Sequence, residues 1–163
     1  MRTVVIEPLT REAYAPFGQV IGAEGAEHFP INGGMTERFH DLAKIELAGI
    51  SPRPLVSIAR GKPYALPLTL TMMERHPLGS QAFYPLSPRP FLSIVAPDER
   101  GRPGRPRAFR CAPGQGINMA MNTWHAVLTP LEAESDFLLI DRGGEGKNLE
   151  EFSFDDPWLI VES

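Results

Sequence analysis

The stretch Glu74-Arg75-His76-Pro77-Leu78-Gly79-Ser80-Gln81-Ala82-Phe83-Tyr84-Pro85-Leu86 decides how this chain is read. It continues an apolar, β-branched run, Leu66-Pro67-Leu68-Thr69-Leu70-Thr71-Met72-Met73, and turns polar just before Pro-Leu-Gly. Residues two apart on a strand share a face, so Glu74 and His76 point the same way. Beyond the turn Gln81 opens a second apolar run. Two strands thus bring three polar groups toward one spot.

The same pattern of short apolar runs bounded by Pro or Gly continues in both directions. Arg2–Glu7, Gln19–Ile21, Leu55–Arg60, Phe91–Ala96, Arg107–Cys111, Ile117–Met121, Ser135–Arg142 and Trp158–Val161 read as strands. Thr10-Arg11-Glu12-Ala13-Tyr14-Ala15 reads as a short helix, begun by a threonine cap and stopped by Pro16 and Gly18. Asn32-Gly33-Gly34 signals a turn, and the segment after it alternates: Thr36, Arg38 and His40 on one face, Glu37, Phe39 and Asp41 on the other. With 15 glycines and 17 prolines spread along 163 residues, long helices have little room. An all-β sandwich or barrel with a short N-terminal helix is expected, as a single domain over residues 1–163 without repeats or linkers.

A formal net charge of -4 argues against nucleic acid or an anionic membrane surface as a partner. The arginines between Arg100 and Arg110 are interleaved with Pro and Gly, and read as a solvated loop. Cys111 is the one cysteine, so no intrachain disulfide forms, and a cytoplasmic setting fits. The N-terminal apolar run is too short for a signal peptide, and no stretch approaches a membrane span.

His76, Gln81 and the distant Trp124-His125 have the layout of the cupin jelly roll, in which side chains from three strands converge inside a small barrel. In cupins such positions usually hold a divalent metal, which here makes Glu74, His76, Gln81 and His125 the candidate ligands. Carboxylate and imidazole suit Zn, Mn or Ni, whereas the Gln81 amide is a weak, neutral ligand. Each of these residues also has a plain structural reading, since strand histidines and loop-capping amides are common. Glu74 beside His76 tilts the balance, because two ionisable groups on an apolar face are costly unless paired or used.

Several blocks, in order, carry a closer resemblance: Ile31-Asn32-Gly33-Gly34, Glu37-Arg38-Phe39-His40-Asp41-Leu42, Glu74 to Phe83, Asn122-Thr123-Trp124-His125, and Asp136-Phe137-Leu138-Leu139-Ile140-Asp141-Arg142-Gly143-Gly144. Together they resemble the ureidoglycolate lyase family. The resemblance implies a cupin-like β-barrel, usually a homodimer, that splits ureidoglycolate into glyoxylate and urea in allantoin breakdown. One departure stands out: the family pattern has Tyr-His where this chain has Met119-Ala120, and often a second His where it has Ala126.

That chemistry needs a base for the substrate hydroxyl, an acid for the departing urea nitrogen, and a clamp for the carboxylate. Glu74, His76 and His125 are the acid/base candidates. Arg38 and Arg142 are candidate carboxylate clamps, since a guanidinium grips a carboxylate bidentately. His40, Gln81 and Asn118 complete the expected substrate-binding set. Two other functional classes compete: a non-catalytic cupin-like binder of a small carboxylate, and another metal-dependent cupin enzyme such as an oxygenase or isomerase. The neutral Gln81 weakens the last.

Overall fold

A computed structural model of the chain describes residues 1–163. The strands, in order, are β1 (Arg2–Pro8), β2 (Gly18–Ile21), β3 (His28–Ile31), β4 (Thr36–Phe39), β5 (Arg53–Gly61), β6 (Leu68–Arg75), β7 (Gln81–Pro85) and β8 (Phe91–Ala96). There follow β9 (Asp98–Glu99), β10 (Arg102–Pro103), β11 (Arg107–Cys111), β12 (Gly116–Met119), β13 (Trp124–His125), β14 (Thr129–Pro130), β15 (Ser135–Gly143) and β16 (Glu150–Val161). The α-helix α1 (Arg11–Tyr14) follows β1, and Thr10 caps it by accepting a hydrogen bond from the Ala13 amide at 3.1 Å. The expected all-β architecture with one short N-terminal helix is what the chain forms.

Six strands close on themselves in the order β11-β1-β16-β6-β13-β8, with β8 pairing back onto β11 and β14 attached to β8. This is the jelly-roll barrel of the cupin type. β1 runs parallel to both β11 and β16, while the other pairs are antiparallel. A second, five-stranded antiparallel sheet, β2-β12-β7-β15-β5, covers one side of the barrel. β3 and β4 pair only with each other, as do β9 and β10. The expected arginine loop is therefore partly a tight hairpin, whose Arg102 stacks over Phe152 and whose neighbour Arg105 lies over Trp158.

The apolar alternation feeds two cores. Val4, Ile6, Leu70, Leu92, Ile94, Trp124, Trp158 and Ile160 fill the barrel interior. Tyr14, Phe17, Val95, Phe109, Phe83, Ile117, Met119 and Phe137 fill the gap between barrel and sheet. β8 belongs to both, and all six of its residues are buried. Its sequence, apolar apart from Ser93, follows from facing protein on both sides.

A candidate active site between barrel and sheet

The register of β13 against β6 sets His125 directly across from Glu74, so the two side chains share a face. Trp124, one residue earlier, points into the barrel core, which turns His125 outward into the gap facing the five-stranded sheet. His76 follows just past the end of β6. Its Nε2 lies 3.9 Å from Glu74 Oε1, and its ring centroid lies 5.1 Å from that of His125. One ligating atom from each of the three residues falls within 4.8 Å of the others.

Both imidazoles are held in one tautomer. His76 Nδ1 donates to the Asn148 carbonyl at 2.8 Å, and His125 Nδ1 donates to the Ala126 carbonyl at 2.8 Å. A carbonyl only accepts, so in the neutral ring each Nδ1 carries the proton and each Nε2 a free lone pair. Both Nε2 atoms are buried without a hydrogen-bond partner. Burial pushes the His125 pKa down to about 4, outweighing its bond to Ala126, with neighbouring His76 lowering it further. His125 is thus a neutral base or ligand across the physiological range. Burial likewise pushes the Cys111 thiol up, which leaves it inert.

On the opposite wall, Gln81 begins β7 and pairs with Met119 of β12, whose side chain lies in the gap core. Gln81 therefore faces the same gap as His125. Its Nε2 donates to Asp141 Oδ2 at 3.4 Å. The Glu74 and Asp141 carboxylates form no ion pair with lysine or arginine. Two surface cavities, of about 550 and 600 Å³, contain none of these residues; one is lined by arginines and aromatics around Trp158, the other lies beside Arg11 and Gly114. Two unpartnered imidazole nitrogens beside a carboxylate mark chemistry better than volume does, which makes the gap the candidate site.

Four of the expected site residues lie elsewhere. Asn118 sits between Ile117 and Met119, both of which face the gap, and so projects from the opposite side of the sheet. There its Nδ2 donates to Gln19 Oε1 at 2.8 Å and to the Lys44 carbonyl at 2.9 Å. Arg142 alternates with Asp141 in the same manner. Its Nε donates to the Ala48 carbonyl at 2.6 Å, and its Nη2 to the carbonyls of Glu145 at 2.8 Å and Ile50 at 3.4 Å. It thereby clamps the segment 46–50 over the turn containing Gly79, where a Cβ would stand 2.6 Å from Arg142 Cβ. Arg38 and His40 belong to the β3–β4 hairpin, away from the ladders that carry Glu74 and His125. The positions where the family pattern has Tyr-His and a second His are filled by packing: Met119 lies in the gap core and Ala126 in the barrel core.

Sequence reasoning missed Asn148. Its carbonyl fixes His76, and its side-chain Oδ1 accepts from the Leu78 amide at 2.8 Å, holding the turn that follows. Only its place in a loop shortly after Gly143-Gly144 could have flagged it.

With this geometry in hand, comparison with known proteins is decisive. The ureidoglycolate lyase family model matches residues 1–161. The chain belongs to the ureidoglycolate lyase family. It is 66% identical over 160 residues to a ureidoglycolate lyase of Chelativorans sp. strain BNC1, covering 98% of this chain and 97% of that one. A ureidoglycolate lyase of Mesorhizobium japonicum is 59% identical over 98% of both chains. Ureidoglycolate lyase 2 of Rhizobium meliloti is 56% identical over 95% of both.

Proposed function

We propose that this chain is a ureidoglycolate lyase, cleaving ureidoglycolate to glyoxylate and urea, with His76 and His125 as its proton-handling pair. The observation that carries the reading is the pair of buried Nε2 atoms, without hydrogen-bond partners, beside the Glu74 carboxylate, in a chain of this family. Family membership also favours catalysis over a mere binding module and over oxygenase or isomerase chemistry.

Ureidoglycolate carries a hydroxyl and a ureido nitrogen on one carbon, next to a carboxylate. Cleavage takes the hydroxyl proton, forms the carbonyl of glyoxylate, breaks the carbon–nitrogen bond and returns a proton to the urea nitrogen. One proton moves, and no oxidant or reductant is needed. His76 Nε2 takes the hydroxyl proton, and Glu74 Oε1 at 3.9 Å stabilises the imidazolium that forms. The same nitrogen then protonates the leaving urea. His125, held neutral, accepts a hydrogen bond from the ureido group, and Gln81, steadied by Asp141, orients it from the opposite wall. The test follows glyoxylate release from ureidoglycolate: sustained turnover supports the reading, while saturable binding without product replaces it with the binder.

A second reading rests on the same open lone pairs. Glu74, His76 and His125 fit a divalent ion, because each imidazole is already oriented from behind by a carbonyl and turns a free Nε2 toward the carboxylate. Zn, Mn or Ni would suit this donor set, with Gln81 as a weak fourth ligand. Such an ion, when bound, polarises the hydroxyl and carboxylate oxygens. Metal analysis of active protein decides between the two: full activity of metal-free protein rejects the ion, and loss of activity on chelation with recovery on reloading supports it.

The working form we propose is a homodimer. The outer face of the five-stranded sheet supports this, since Val56 and Ile58 stand 70% and 57% exposed side by side on β5. Sedimentation at micromolar concentration tests it. No helix is long and apolar enough to cross a membrane. A cytoplasmic setting fits the lone buried cysteine, and the β8 wall shared by both cores supports a single domain.

A further inference from the structure

The β3–β4 hairpin stands apart from both sheets of its own chain. His40 N donates to the Glu27 carbonyl at 2.9 Å and closes its base, and its strands pair with no other strand. All four residues of β4 are exposed, and Met35 and Phe39 are 86% and 39% exposed. A lone two-stranded hairpin is marginal in water, so an arm of this kind needs a surface to lie on. Strands of four residues give it a reach of about 13 Å.

Its two faces differ. His28 and Phe39 stack on one side, where His28 also bonds Glu37. On the other, Arg38 lies directly across from Phe29, Ile31 across from Thr36, and the His40 ring packs at 5.2 Å from Phe29. Arg38 forms no ion pair, and His40 Nδ1 is buried without a partner. This face offers an unpaired guanidinium flanked by apolar side chains.

The gap site presents the complement. Its carboxylates, Glu74 and Asp141, have no arginine or lysine partner, while the nearby Arg142 and Arg75 are held elsewhere. A substrate carboxylate would bring in one more negative charge. Even a divalent ion would only offset the two carboxylates already there.

Neither flank of the arm enters the gap within one chain: one leaves the far end of the five-stranded sheet, and the other returns along its outer face. Gly18, Met119 and Gln81 align at the site end of β2, β12 and β7, whereas β2 leaves the sheet at Ile21, across from Gly116. From there the chain enters the arm, and it returns at Lys44, whose amide donates to Gln19 Oε1 and whose carbonyl accepts from Asn118 on the face turned away from the gap, before Glu46 joins Ser80.

We infer that Arg38 on the β3–β4 arm of one copy enters the gap of a second copy and binds the substrate carboxylate there, making the active site a shared one. Two-fold symmetry then seats both arms at once. This rests on the proposed lyase activity for its substrate, and on the homodimer for its partner.

Heterodimers carrying Arg38→Ala on one chain and His76→Asn on the other, isolated through two different tags, test it directly. With sharing across the dimer, one of the two sites in each heterodimer keeps both groups, so about half of wild-type activity is expected although each parent is nearly inactive. Heterodimer activity at the parental level overturns the inference, as does Arg38→Ala protein that turns over with an unchanged KM. A second measurement needs no catalysis. Arg38→Cys with Gln81→Cys, oxidised and run without reductant, is expected to give a dimer-mass band; a link confined to the monomer, or none, overturns the inference. If wild type releases no glyoxylate, the lyase reading fails alone, and the cross-link still decides whether the arm reaches across.

Discussion

The two faces of the five-stranded sheet use the same residue types for opposite ends. On the inner face, Asp141 and Gln81 look across the gap at His76 and His125, where two nitrogen lone pairs are left open. On the outer face, Arg142, one residue along from Asp141, and Asn118 of β12 are tied to backbone carbonyls and a neighbouring amide. The open imidazole nitrogens face the candidate site, whereas the bonded guanidinium and amide donors of the outer face hold loops in place. Strand alternation keeps the two roles a single residue apart.

The largest expected effect that would break this contrast is on the inner face. His76→Ala should lower kcat by about 10²–10⁴-fold while leaving the thermal midpoint near that of wild type. A comparable loss of stability would mean that His76 holds the fold as the outer residues do. Arg142→Ala should do the reverse. It strips two charge-assisted bonds from the segment 46–50 and a third from the Glu145 carbonyl, and should cost about 3 kcal/mol or more in denaturant unfolding, with kcat retained in the folded fraction.

Acid titration probes the inner face through stability. The folded His125 titrates near 4 against an ordinary value of 6.5, so between those pH values the unfolded chain binds a proton that the native state refuses. Stability is therefore unaffected by this group above about pH 6.5, falls as the pH drops, and is lower by about 3 kcal/mol below pH 4. In metal-free protein, His125→Gln should flatten the curve across that window. A profile unchanged by the substitution would show that His125 is not buried neutral. The smallest effect belongs to Asn118→Ala, expected to cost about 1–3 kcal/mol by leaving the Lys44 carbonyl and Gln19 unmatched, with no change in KM.

What could be read from the sequence follows the same division. The strands, the helix cap and the shared face of Glu74 and His76 depend on neighbours within a few residues, and all three are legible. The pairing of His125 with Glu74 joins residues 51 positions apart, and no local pattern carries that register. Asp141 and Arg142 follow the run Phe137-Leu138-Leu139-Ile140, apolar on both faces because the outer face of β15 is also partly covered. Parity along such a strand does not tell inside from outside, which is why Arg142 reads as a substrate clamp. Arg38 was legible as a candidate carboxylate clamp but not as one carried on a detached arm, since detachment is a property of the whole topology.

β8, the wall common to both cores, has a consequence for motion. Neither the barrel nor the covering sheet can loosen without laying bare one side of Phe91–Ala96, so its amides should exchange with deuterium only when the whole molecule opens. His125 is laddered to Val95 of that strand. One wall of the site is thus anchored to the slowest-breathing part of the molecule, while the hairpin that carries Arg38 should be among the fastest to exchange in an isolated chain.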